Sequence, residues 1–228
     1  MIGIIASMEE ELNYIKESMG DVKIKNINNT DYVIGNLHGK DVVVVRCFTG
    51  KVYMALTAQK LIDNFDLDLI INCGVAGGLK GGMHIGDVVL ATNAIQSDMD
   101  VRGLGYEIGQ VPDIEIKDFK QYEKINETAK EFVQNYDFKV YFGNIMTADK
   151  FVSSKEDKEY LIEKFDGYCT DMETASLGEV CYVNKINFAG IRGISDSADE
   201  GANTDFRDNL KKASDNCAIL LCDIIKAM

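Results

Sequence analysis

At 228 residues and a formal charge of −13 at pH 7, the chain is long enough to bury a sizeable core and too acidic to favour a phosphate backbone. Hydrophobic residues make up 46% and charged residues 27%, the balance of a globular protein, and no apolar run reaches membrane-spanning length. Neither nucleic acid nor membrane is therefore expected as a partner, and one domain over residues 1–228 is the simplest division.

"MIGIIA" predicts a fully buried strand, followed over residues 8–19 by a helix with Met8, Leu12, Ile15 and Met19 as its apolar stripe. The start "MIGIIASMEEE" has no basic stretch and turns acidic early, which points away from a secretory signal and toward the cytoplasm. "YVIGNLHGKDVVVVRCF" predicts a hairpin turning at "NLHGK". Residues 52–65 carry Met54, Ala58, Leu61, Ile62 and Phe65 at helical spacing. "LDLIINCG" is the next buried strand, and the glycine-bearing "NCGVAGGLKGG" after it predicts a turn.

"IGDVVLATNAIQ" predicts a strand, and residues 97–113 a polar, glycine-bearing stretch, too long for a tight turn and therefore either functional or mobile. A helix over 117–136, a strand at "KVYFGNIMTA", a helix at "DMETASLGEVCYV", a strand at "INFAGIRGIS" and a helix from Phe206 to Met228 complete the chain. Strands separated by helices imply an α/β fold, a mixed or mostly parallel twisted sheet flanked by helices. Ligands in such folds sit at the carboxyl ends of the strands.

Those strand ends carry the unusual residues. At about 100° per residue, Glu10 falls opposite the first helix's apolar stripe, whereas Glu11 lies closest to it, so periodicity nominates Glu11 as the inward carboxylate. In "CTDMETAS", Asp171 and Glu173 suit a helix cap as well as a site. Asp196 follows directly on the strand "GIRGIS". Arg46 and Arg192 are read as strand-edge ion pairs. The six cysteines show no CxxC spacing and read as buried thiols in a reducing compartment. His38 and His84 stand far apart and support neither a metal site nor a Ser-His-Asp triad, so acid–base work falls on carboxylates. Paired carboxylates suit cleavage of a glycosidic bond.

"IGIIASMEEEL", "TGKVYMAL", "INCGVAGGL", "GDVVLA", "DVRGLGYEIGQVP", "DMETAS" and "RGISDSAD", in this order, resemble the 5'-methylthioadenosine/S-adenosylhomocysteine nucleosidases of the nucleoside phosphorylase superfamily. The resemblance implies hydrolysis of the N-glycosidic bond of 5'-methylthioadenosine, S-adenosylhomocysteine and 5'-deoxyadenosine, releasing adenine without a cofactor or metal. It implies that Glu11 activates water, that Asp196 protonates adenine N7, and that Glu173 holds the ribose hydroxyls with Met172 beneath the sugar. Met8, Val75, Ala76, Gly77 and Ser195 are carried over as substrate-binding. Thr49, Phe151, Val152 and Phe206 would line the 5'-substituent pocket. A homodimer is implied, whose second subunit supplies Val101, Leu104, Tyr106 and Pro112. Val75 stands where many members carry serine, and Leu104 where an aromatic is frequent, so the preferred 5'-substituent stays open. A purine nucleoside phosphorylase, an aminofutalosine hydrolase and a non-catalytic nucleoside-binding protein are the other readings. The acidic "SMEEE" loop favours a water nucleophile over phosphate.

Overall fold

Strand β1 (Ile2–Ala6) is buried at every position, and such a strand needs a neighbour on each side. In the computed structural model, which describes residues 1–228, it has them. Helix α1 (Glu9–Glu17) follows, with Glu11, Leu12 and Ile15 buried and Glu9 and Glu10 exposed, as helical phase predicts. Strand β2 (Gly20–Ile27), which sequence reading did not anticipate, is an exposed edge strand without an alternating pattern. β3 (Thr30–Leu37) and β4 (Lys40–Arg46) form the predicted hairpin, closed by His38 and Gly39 at φ +51° and +87°. Helix α2 (Lys51–Asn64) comes next and turns Met54, Ala58 and Leu61 inward.

Strand β5 (Leu69–Gly78) corrects one expectation. The glycine run does not turn; it extends the strand, and all ten residues are buried. β6 (Val88–Gln96) leads into the 97–113 stretch, which holds a single turn of 3-10 helix at Arg102–Leu104. The helix expected over 117–136 is also corrected. Asp118–Lys120 forms β7 against β6, placing Phe119 in the core, and α-helix is confined to Glu123–Lys130, α3, with a single 3-10 turn at Val133–Asn135 after it. Packing of one aromatic overrides the local helical pattern there. β8 (Val140–Thr147), α4 (Lys155–Phe165), β9 (Gly167–Asp171), α5 (Thr174–Asn184), β10 (Asn187–Asp196) and α6 (Ala202–Ala227) follow. α4 and β9 were not anticipated, and α6 begins before Phe206.

All ten strands belong to one mixed sheet. β1 lies parallel between β4 and β5, and β5 lies parallel to β10. From β10 the sheet passes to β6, β8 and β9, and β9 returns to pair with β5 through Gly77 and Gly78. Five strands thus close into a ring, and β1, β4, β3 and β2 extend from it as an open wing. One core cluster joins Ile4, Val42 and Ile71 to Leu12 of α1, Ile125 of α3 and Leu221 of α6. The other joins Ile5, Val43 and Ile70 to Met54 of α2 and Leu177 of α5. Helices therefore cover both faces, and the six cysteines are free and buried. No helix is long and apolar enough to cross a membrane.

Candidate active site

The carboxyl ends of β1, β5 and β10 meet, and each delivers part of one pocket. Glu11 occupies the third position of α1 and reaches back to the N-terminus of its own helix. Its Oε2 accepts from the N–H groups of Ser7 (3.0 Å) and Met8 (2.9 Å) and from the Ser7 hydroxyl (3.2 Å), while Oε1 accepts from the N–H of Val75 at 2.9 Å. Oε2 is saturated, and Oε1 keeps one lone pair for a further donor. Burial raises the pKa of Glu11 above the ordinary value; Arg192 and the Met8, Val75 and Ser7 donors pull it back in part. A side chain at Gly74 would collide with Glu11 and Arg192, which explains a glycine inside a buried strand.

Glu173 stands at the N-cap of α5, but the capping work falls to Asp171, whose Oδ2 accepts the Thr174 N–H at 2.9 Å. Glu173 is thereby free to turn toward the pocket, where Oε1 accepts the N–H of Gly50 at 2.9 Å. Burial lifts its pKa to about 7, with Arg192 opposing and Asp171 reinforcing the shift.

Arg192 lies behind both groups and corrects the strand-edge reading. It sits on β10 between β5 and β6, is 1% exposed, and pairs with Asp171 and, at 3.6 Å, with Glu173. Its remaining donors go to Thr174 Oγ1, Asn72 Oδ1 and the Val75 carbonyl. Burial works against its charge, but Asp171, Glu173 and Glu11 outweigh it and keep the guanidinium firmly protonated. Arg46 is not in an ion pair; it donates to the Ser7 carbonyl at 3.2 Å and covers the Phe48 ring.

Asp196 ends β10. Its Oδ2 is 2.8 Å from the Ser195 hydroxyl and its Oδ1 accepts the Ala198 N–H at 2.9 Å. Burial raises its pKa; those two donors oppose the shift, and Asp205 and Asp199 add to it. Arg192 opposes the rise at Glu11 and Glu173, whereas at Asp196 the neighbouring charges, Asp205 and Asp199, reinforce it. The three carboxyls thus sit in two electrostatic environments. A cavity of about 180 Å³ opens between them, walled on its apolar side by Met8, Val152, Met172 and the edge-to-face pair Phe151 and Phe206, 6.0 Å apart. No group of three or more His, Cys, Asp or Glu side chains is placed to hold a metal ion.

The phosphorylase superfamily model matches residues 1–226. A 5'-methylthioadenosine/S-adenosylhomocysteine nucleosidase from Exiguobacterium sp. is 36% identical, with 100% of this chain and 98% of that protein aligned. The chain belongs to the nucleosidase family of the phosphorylase superfamily. A Neisseria meningitidis nucleosidase solved with methylthio-immucillin-A superposes with a TM-score of 0.95 at 34% identity, covering 100% of this chain and 99% of that one. The futalosine hydrolase of Helicobacter pylori superposes with a TM-score of 0.94 at 31% identity, covering 100% and 97%. The nucleosidase fold brings Glu11, Glu173 and Asp196 together with Met8, Thr49, Val75, Ala76, Gly77, Phe151, Val152, Met172, Ser195 and Phe206 around the one cavity. Val101, Leu104, Tyr106 and Pro112 do not line it within this chain. Asp171, which suited a helix cap as well as a site, lines the cavity and serves as both. Ser7 and Thr170 also line it and were missed, as was the part played by Arg192. Their one signal was position, within a residue of a strand's end or facing a named carboxylate across the sheet.

Proposed function

We propose that this nucleosidase-family enzyme hydrolyses the N-glycosidic bond of 5'-methylthioadenosine and S-adenosylhomocysteine, with 5'-deoxyadenosine as a third substrate, releasing adenine. The observation that carries the reading is the sorting of the carboxyls. Asp196 has a raised pKa reinforced by the neighbouring Asp205 and Asp199, as an acid requires, while Arg192 opposes the rise at Glu11, whose Oε1 keeps a free lone pair, as a base requires.

In this reading Asp196 gives its proton to adenine N7 as the C1'–N9 bond breaks, and the bonding pair leaves with adenine, which departs neutral. A water on Oε1 of Glu11 attacks C1' and passes a proton to that carboxylate. Asp196 regains a proton from solvent and Glu11 loses one, so the cycle closes. Glu173 accepts from the ribose hydroxyls, and the surrounding carboxylate charge favours the cationic sugar of the transition state. Water rather than phosphate is the nucleophile because the one cation lining the cavity, Lys150, is held by Asp157 at 2.7 Å, and Arg192 behind it is held by Asp171.

The enzyme acts as a homodimer whose 97–113 stretch completes the partner's pocket. Supporting this, Val52, Tyr53 and Leu56 of α2, Leu104 and Val183 are all exposed apolar side chains in the single chain. The six buried thiols suit a reducing cytoplasm.

Free adenine measured by a coupled or chromatographic assay, with and without inorganic phosphate, tests the reading. Release from 5'-methylthioadenosine at a rate independent of phosphate is expected. Strict phosphate dependence would make it a phosphorylase, and binding without release would make it a non-catalytic nucleoside-binding protein. The likeness to a futalosine hydrolase adds aminofutalosine to the substrates assayed.

A further inference from the structure

Three chain segments meet beside the mouth of the pocket: the end of β6, the loop between β8 and α4, and the N-terminus of α2. Asp98 ties them together. Its Oδ1 takes the Lys51 ammonium at 2.6 Å, and its Oδ2 takes the backbone N–H of Asp149 at 3.0 Å. Asp149 then closes the triangle, its Oδ1 accepting the Lys51 N–H at 2.9 Å. Asp98 is presented from a rigid base, because Ser97 bonds the Thr147 carbonyl through both its N–H (2.8 Å) and its hydroxyl (3.0 Å).

What the triangle fixes are parts of the pocket. Residue 50 donates its N–H to Glu173, and residue 151 begins the aromatic wall two positions after Asp149. Gly50 has φ +103°, and a Cβ there would stand 3.0 Å from Asp149 Oδ1, so only glycine lets Asp149 cap α2 while the Gly50 N–H points at Glu173. Two carboxylates, from Asp149 and Glu173, therefore take the first two N–H groups of α2, where the helix favours negative charge. Asp98 also opens the 97–113 stretch, so the same carboxylate sits where the pocket meets the segment assigned to the partner.

We propose that Asp98, with Lys51 and Asp149, is a positioning clasp that sets Glu173 and Phe151 for the ribose and 5'-substituent of the substrate. The clasp touches no reacting atom and acts through Gly50 and the Asp149–Phe151 segment. This rests on the nucleosidase reading above.

Asp98→Ala and Lys51→Met test it, with Lys51→Arg as the conservative control, by steady-state kinetics on 5'-methylthioadenosine together with amide hydrogen exchange at Gly50 and Lys51. Because the clasp is charge-assisted but partly exposed, about a tenfold rise in KM is expected for Asp98→Ala and Lys51→Met. kcat should move less than about twofold, the melting temperature should hold, and both amides should exchange faster, with Lys51→Arg close to the parent. Unchanged KM and unchanged exchange would overturn the clasp, as would kcat and melting temperature falling together, which marks a merely structural contact. The exchange measurement needs no turnover. If the parent protein released no adenine, the nucleosidase reading would fall while faster exchange would still show the clasp.

Discussion

The guanidinium of Arg192 stands 3.6 Å from the Glu173 carboxylate, with both side chains almost shut off from solvent. Together with Asp171 it forms a buried cluster in which each charge depends on the others. Removing the cation strands two carboxylates in a low-dielectric interior. Arg192→Met is therefore expected to cost about 3–5 kcal/mol in urea unfolding, the range for breaking a buried pair by deleting one partner. A loss below about 1 kcal/mol would mean that the carboxyls neutralise by taking up protons at little cost.

Stability should also depend on pH through Glu173. A carboxyl whose pKa is higher in the folded state binds more protons there, so stability falls as pH rises. For Glu173 the window runs from its ordinary 4.5 to about 7; its favourable contribution is complete below that window and gone above it. Glu11 and Asp196, also raised, act in the same direction. The melting temperature of the free protein, scanned from pH 4.5 to 7, should therefore decline less steeply in Glu173→Gln than in the parent. Identical slopes would show that Glu173 keeps an ordinary pKa.

Asp196→Asn keeps the shape of the side chain and deletes the proton donor. Adenine release should fall by about 10²- to 10⁴-fold, the usual worth of a positioned general acid, while nucleoside binding by calorimetry survives. Gly77→Ala approaches the same carboxyl from β5, because the added Cβ would lie 2.9 Å from both Asp196 Oδ1 and Ala198 Cβ. It should lower kcat in a protein that still folds. Near-normal turnover in Asp196→Asn would take the acid role away from that residue.

The apolar face of α2 offers a test of the dimer. Leu56 is 49% exposed and Val52 74%. Placing a charge there, as in Leu56→Arg, should shift sedimentation from dimer to monomer and raise KM for 5'-methylthioadenosine as the partner's 97–113 stretch withdraws. A parent protein that sediments as a monomer would remove the shared-pocket reading altogether.

How far the sequence spoke for itself varied with the kind of signal. Glu11 was legible because α1 has a clear helical phase, and Asp196 because it follows an apolar strand at its carboxyl end. The glycines from Gly74 to Gly78 misled. Glycine normally marks a turn, but here the missing side chains make room for Glu11, Arg192 and Asp196 inside a strand, a demand set by residues far away in sequence. Arg192 was misjudged for a related reason: nothing local tells an edge from a central strand. β2 escaped notice because its exposed residues lack the alternation that a half-buried strand would show.

The return of β9 to β5 has a dynamic meaning. The five strands of the ring leave no end strand among them to peel away, so the floor beneath Asp196 cannot widen by parting at a seam. Whatever breathing admits and releases a ligand must belong to the rim, to Thr49, Phe151 and the first turns of α6 with Phe206. Entry and exit rates are then properties of loops, open to change by mutation or selection without disturbing the placement of the carboxyls below.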